Sequence, residues 1–247
     1  MADRAFIDLH CHTAASFDCL ARPADVVRAA AARGLTHLIV TDHDRIDGAL
    51  AARAAAPAGL RVIVGEEVRT AEGDLICAFL ERAIPPGLSA LDTIVEAREQ
   101  GGLVGIPHPF DRRRGSLLND PRATPLAPLV DWIEVHNARL IGGGNERAAE
   151  FARQAGRFGV AVSDAHSVLE VGVAYTALDG DPSTPAGLLA ALPTAELVPG
   201  RASYAARLWT PVAKGVQRLR GNGRVRPGSI PGRGATPGAD PDPGGRS

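Results

Sequence analysis

Five of the seven histidines fall where a short apolar run ends in a polar cluster. The clusters are Asp8-Leu9-His10-Cys11-His12, Thr41-Asp42-His43-Asp44, Pro107-His108-Pro109 and Ser163-Asp164-Ala165-His166. Imidazole and carboxylate side chains are the donors that borderline divalent ions take, so the chemistry on offer is metal-assisted hydrolysis. In His10-Cys11-His12 the two imidazoles are two residues apart, which on a strand puts them on one face, able to chelate one ion. Cys11 then points to the other face and reads as a small buried residue. Asp164-Ala165-His166 repeats the same spacing with one carboxylate and one imidazole.

Glu66-Glu67 ends another such run, and a carboxylate there could bridge two ions through its two oxygens. Asp18 follows the first run in a loop, and Asp74 lies in the turn Glu72-Gly73-Asp74. Loop aspartates often serve as turn formers, so both keep a structural alternative. His136, in Glu134-Val135-His136-Asn137, either joins the cluster or hydrogen-bonds its neighbours. His37 opens an apolar run and reads as structural.

The elements that would position these groups alternate between β-rich and Ala-rich helical patterns, the signature of βα units. Strands are expected over 5–9, 37–41, 61–64, 75–80, 103–107, 132–135 and 160–163. Pro23 opens a helix that stops at Gly34, and the helix 91–100 stops at Gly101-Gly102. Asn145 is expected to N-cap a helix running to about Gly156. Strands that end in ligands around a closed parallel sheet point them into one shared site, so a barrel is favoured over a flat sheet.

With 247 residues, 45% of them hydrophobic, the chain can bury one large core. A formal net charge of -1 offers no global attraction to nucleic acid or anionic lipid. Three cysteines, at 11, 19 and 77, include no CxxC pair and argue against a disulfide framework. No stretch approaches the roughly 18 apolar residues of a membrane span, and the first residues lack an apolar signal core. The expectation is a cytoplasmic protein with no membrane contact and no obligate protein partner. Residues 1–200 are expected to form the catalytic domain, 201–220 an amphipathic helix, and 221–247 a disordered Gly/Pro/Arg-rich tail. Residues 201–247 hold nine basic residues against two acids, Asp240 and Asp242. That excess reads as a solvated tail, with weak nucleic-acid contact as the minor alternative.

Taken together, Asp8-Leu9-His10-Cys11-His12-Thr13, Thr41-Asp42-His43-Asp44, Gly65-Glu66-Glu67, His108-Pro109 and Ser163-Asp164-Ala165-His166 resemble the PHP family, the polymerase and histidinol phosphatase domain. The resemblance runs over about residues 5–180. It implies a distorted (β/α)7 barrel with a multinuclear metal centre at the C-terminal ends of the strands, hydrolysing phosphoesters. Carried over by motif, His10, His12, Glu67 and Asp164 would hold one ion. Glu67 would bridge to a second that His108 also binds, and Asp18, His43 and His166 would take a third. Many relatives have a histidine near Gly73-Asp74-Leu75, so Asp74 would have to stand in for it at the second ion. The tracts 106–112 and 134–139 are similar to those of a stand-alone bacterial subgroup of small phosphoesterases.

The implied cofactors are two or three divalent ions, Mn, Zn or Fe, among which ligand type does not choose. The implied substrate is a small phosphorylated molecule or short oligonucleotide. Candidates are a 3',5'-nucleoside bisphosphate, the 5' end of an oligonucleotide cleaved by a 5'-3' exonuclease, or a simple phosphomonoester. Arg112 and Arg139, close after site strands, suit a second phosphate or a carboxylate because the guanidinium fork binds such groups in bidentate fashion, the alternative for each being a surface arginine or a salt bridge. Gly142-Gly143-Gly144-Asn145 could receive a phosphate at a helix N-terminus but lacks the ending of a P-loop.

Three other readings compete with this one. Amidohydrolases share the barrel and the first His-x-His, but their common binuclear form uses a carboxylated lysine, and Lys214, the only lysine, falls beyond the expected barrel. TatD-like nucleases need no such lysine, yet do not usually show Thr-Asp-His after the second strand. A non-catalytic PHP module serving a partner would be expected to have lost several ligands.

Overall fold

The computed structural model describes residues 4–111, 115–119 and 121–225. Nine strands, β1 (Arg4–Cys11), β2 (His37–Val40), β3 (Arg61–Arg69), β4 (Asp74–Ala78), β5 (Leu103–Ile106), β6 (Trp132–Asn137), β7 (Phe158–Val162), β8 (Tyr175–Asp179) and β9 (Glu196–Val198), form one sheet among these residues. Its order is β7-β6-β5-β4-β3-β2-β1-β8-β9. The flanking helices are α1 (Pro23–Ala32), α2 (Asp47–Ala54), α3 (Ala90–Glu99), α4 (Gly144–Gln154), α5 (Pro185–Ala191) and α6 (Tyr204–Leu219).

The seven expected strands are all present, and the sheet bends into a nearly closed barrel. Its two ends meet where Cys11 bridges Ala165, with His12 N donating to Ala165 O and Asp164 N to His10 O, each at 2.9 Å. Lower in the seam, β7 bonds instead to a side chain of β8: Ala161 N donates to Thr176 Oγ1 at 2.9 Å. That wedge, with antiparallel pairing of β4 to both β3 and β5, is the distortion of the barrel. β8, antiparallel to β1, and β9, antiparallel to β8, extend the sheet beyond what the apolar patterning marked.

Two apolar clusters lie on the two sides of the barrel wall. Ile7, Leu9, Ile39, Ile63, Ile76 and Trp132 belong to the interior, whereas Val26, Val27, Leu38, Val40, Val62 and Val64 pack beneath the helices. Gly105 is required by this interior: a Cβ there would lie 2.2 Å from the buried Trp132 ring.

Three sequence expectations are corrected locally. Gly143, at φ 72°, holds the N-cap of α4, while Asn145 Oδ1 accepts from Asn137 N at 3.0 Å and so braces the end of β6. Lys214 is not remote from the barrel, because α6 returns to its mouth: Gln217 Nε2 donates to the carbonyls of Ala14, Ser16 and Cys19 at 2.7–3.0 Å. Residues 221–225, which composition placed in the tail, also bond to the barrel; residues 226–247 lie outside the described residues.

Candidate metal centre

Side-chain alternation and two bulges decide which groups enter the barrel mouth. On β1 the register slips between Asp8 and Cys11. Leu9 therefore belongs to the interior cluster, while Cys11, with the same parity, packs on the helix side. The slip turns His10 and His12 inward, the re-aiming that bulges beside active sites perform. On β6 a second slip falls between Glu134 and His136. Glu134 and Asn137 point into the site, and His136 is directed away, its Nε2 bonding Gly200 O at 2.8 Å. His136 is therefore structural, as is His37, whose Nε2 meets Ser183 Oγ at 3.0 Å.

On β3 the interior residues alternate as Ile63, Gly65 and Glu67. Glu66 faces the other way and accepts from Ile84 N at 2.8 Å. Burial pushes the Glu66 carboxyl well above the usual carboxylate range and so favours its uncharged form, and the bridging candidate of the pair is Glu67. Because β4 runs antiparallel to β3, its first residue, Asp74, lies at the barrel mouth opposite Arg69. His108 and Asp164 follow β5 and β7 with left-handed backbones, φ 27° and 52°. Such strained conformations concentrate where geometry serves a site.

All nine sequence-derived ligand candidates converge. Donor atoms of His12, Asp18, His43 and His166 lie within 4.8 Å of one another, as do those of His10, His12 and Glu67, and those of Glu67, Asp74 and His108. His12 joins the first group to the second and Glu67 the second to the third. His10 Nε2 and His12 Nε2 are 3.0 Å apart, with Glu67 Oε2 at 3.3 and 3.4 Å and Asp164 Oδ1 at 3.6 Å from both. Imidazole nitrogens packed this closely against carboxylates, inside a buried site, fit a shared cation. His12 Nδ1 and His43 Nδ1 are buried without a hydrogen-bond partner, and His43 Nδ1 lies only 3.2 Å from Glu67 Oε2. The donor set fits divalent ions held by mixed nitrogen and oxygen ligands.

The electrostatics agree. Burial pulls the His10 ring down, but the carboxylates of Glu134, Asp164 and Glu67 outweigh it and hold its pKa well above the usual value. His43 is raised to about 9 against its own burial by Glu67 and Asp18. Despite burial, His43 and His10 hold Glu67, and His166 and His43 hold Asp18, well below the ordinary carboxylate range. Burial drives His166 down to about 4, with His12 adding to it, which leaves a neutral imidazole ready to ligate.

Around these groups stands an orienting layer that residue spacing did not single out. Glu134 Oε1 accepts from His10 Nδ1 at 2.6 Å, and its other oxygen accepts from His108 N at 2.8 Å. Asn137 Nδ2 donates to Glu134 and to Asp164 Oδ2, at 2.9 and 3.0 Å. Asp8 accepts from Ser163 N and Gly172 N, and Asp42 accepts from Thr13 N and Oγ1. Asp8 and Asp42 stand beside His10 and His43 in the sequence, but only the folded contacts separate an orienting role from ligation.

Seven of the nine ligand candidates, all but His10 and His12, line a pit of about 200 Å³ with Phe17, Lys214 and Arg224 at its wall. Asp18, His166 and Lys214 also line a neighbouring cleft of about 730 Å³, where they meet Arg139, Arg147 and Phe110. Arg139 thus borders the cleft, held by Glu170 Oε1 at 2.9 Å and Thr210 Oγ1 at 2.7 Å. Arg112 lies outside the described residues. Gly142 and Gly144, at the start of α4, border the same cleft.

A barrel whose mouth gathers histidines and carboxylates into three linked donor groups defines the class: a metal-dependent hydrolase. The chain belongs to the PHP family: residues 8–129 match the PHP domain and residues 142–196 the PHP-associated family. A protein of Methanocaldococcus jannaschii is 35% identical over 114 residues, spanning 42% of this chain and 67% of its own. A two-domain protein of Bacteroides vulgatus, described as containing a predicted PHP-like metal-dependent phosphoesterase, superposes with a TM-score of 0.68 at 21% identity. It aligns with 81% of this chain and 66% of its own. A lesion-specific endonuclease of Pyrococcus furiosus, endonuclease Q, gives a TM-score of 0.59 at 15% identity, over 79% of this chain and 58% of its own. At these identities the two structures are alike in fold. Among the described residues, no helix is long and apolar enough to cross a membrane.

Proposed function

We propose that the chain hydrolyses phosphate esters at a centre of two or three divalent ions, acting on a nucleotide-type substrate. The ligands in this reading are His10, His12, Asp18, His43, Glu67, Asp74, His108, Asp164 and His166, with Glu67 shared between two ions. The observation that carries it is the convergence of three donor groups, joined through His12 and Glu67, in a pit that opens onto a cation-lined cleft.

Bound ions supply a water of lowered pKa as nucleophile and neutralise charge on the phosphoryl group. The chain's own residues supply the rest. Glu134 fixes the His10 ring so that Nε2 faces His12, Glu67 and Asp164, and Asn137 holds Asp164. Strand-borne donors keep these positions before any substrate arrives, so little reorganisation is needed during reaction. In the cleft, Arg139, Arg147 and Lys214 suit a second phosphate or carboxylate of the substrate. Phe110, Leu208 and Ile141 offer apolar surface to a base. A group carrying both features is a nucleoside bisphosphate or the phosphorylated end of a short oligonucleotide.

The test is phosphate release, with and without added Mn, from a nucleoside 3',5'-bisphosphate, a 5'-phosphorylated oligonucleotide and a small phosphomonoester such as histidinol phosphate. Mn-stimulated release favouring the first two is expected, together with two or three ions per chain by elemental analysis. Protein expressed in Mn-supplemented medium and isolated without metal would sink the reading.

A further inference from the structure

The two permanent cations of the pit wall, Lys214 and Arg224, both come from the C-terminal segment. Arg224 reaches it on a strap that is tied down along its length. Gln217 Nε2 bonds three carbonyls of the loop after β1, Asn222 Nδ2 donates to Ala14 O and Ala15 O at 3.3 and 3.1 Å, and its Oδ1 accepts from Arg45 at 2.8 Å. Beyond Arg224, Val225 O accepts from Arg69 Nη2 at 3.0 Å. The guanidinium itself is oriented by Nε on Asp44 Oδ2 at 3.1 Å and Nη2 on Asp74 Oδ1 at 3.2 Å, and it stands 5.5 Å from the Phe17 ring centre. Nη1 bonds none of the described residues. A fixed guanidinium, with donors to spare, at the wall of a pit lined by carboxylates is arranged for an anion that enters it.

Resting on the phosphoesterase reading above, we propose that Arg224 binds a non-bridging oxygen of the phosphate group seated in the pit. The strap from Gln217 to Val225 is thus part of the substrate site. Asp44 and Asp74 set the plane of the fork, and the donors they leave are charge-assisted partners for a phosphate dianion. Lys214, half exposed where pit and cleft meet, adds a point charge on the side from which the ester's leaving group would extend.

The experiment is a titration of full-length, Mn-loaded protein with inorganic phosphate, calorimetrically, for wild type, Arg224→Ala and Arg224→Lys. Bound metal is measured in each sample. Loss of a charge-assisted contact should raise the phosphate Kd about 10- to 100-fold in Arg224→Ala, with metal content unchanged. Arg224→Lys should recover part of the loss, because the charge returns without the fork. An unchanged Kd in Arg224→Ala overturns the proposal, and a tighter one overturns it in favour of a strap that competes with phosphate. Loss of metal in both variants would make Arg224 a brace for Asp74 instead and likewise overturns it. Wild-type protein that takes up no metal would refute the underlying phosphoesterase reading, a result distinct from a failure of Arg224 alone.

Discussion

His10 Nδ1 donates to Glu134 Oε1 across 2.6 Å, tying the end of β1 to the inner face of β6. The bond leaves Nε2 as the ring's ligating atom, and the same carboxylate steadies His108 through its backbone N–H. Outer partners of this kind typically account for 10- to 100-fold in metal affinity, so Glu134→Gln should weaken metal binding by about that factor. A competition titration against a metal chelator reads it. Affinity equal to wild type would mean that the carboxylate does not orient the ring.

His10→Ala should abolish turnover and lower bound metal while the fold persists. The ring belongs to the polar mouth, above the apolar interior of Ile7, Leu9 and Trp132. Phosphate release, elemental analysis and thermal unfolding measured on one preparation separate these effects. Full activity in the variant would remove the metal assignment.

Metal loading should release protons near neutral pH. The metal-free His43 has its pKa raised to about 9, so it carries a second ring proton at pH 7 that an ion must displace, and the carboxylates around His10 shift that ring in the same direction. The sign follows: apparent metal affinity rises as pH increases toward 9 and falls toward pH 6. Calorimetry in buffers of different ionisation enthalpy measures the released protons. Uptake, or no exchange, would contradict the raised values.

Shortening the C-terminus should have a threshold. A chain ending at Val225 retains the bonds of Asn222 and Arg224 and should melt with the full chain. One ending at Gly221 loses both, at about 1–3 kcal/mol, or several degrees in a domain of this size. Equal melting temperatures for the two would show that the strap adds no stability.

Gly105→Ala should destabilise the barrel by about 1–3 kcal/mol or more, because the new methyl would meet the rigid, buried Trp132 ring at 2.2 Å. Denaturant unfolding monitored by tryptophan fluorescence reads this directly. A neutral substitution would mean that the ring can shift.

Much of the site was legible in residue order. His10 with His12 and Asp164 with His166 stand two apart at the ends of apolar runs, so local strand geometry alone aims each pair one way. The seven strand-forming runs and Pro23, Gly34, Gly101 and Gly102 marked most of the barrel wall in the same local terms. Tertiary structure decided what depends on contacts between distant segments. The bulge in β6 separates Glu134 and Asn137, which orient the site, from His136, which bonds Gly200. Antiparallel pairing carries Asp74 to the barrel mouth, and burial raises the Glu66 carboxyl away from the imidazoles that hold Glu67 low. The return of α6 brings Lys214 and Arg224 to a pit built from residues some 50–210 positions earlier, across a seam no periodicity records. Residue type and spacing set which donors were available; long-range pairing, with its unequal desolvation and charge, chose which of them meet.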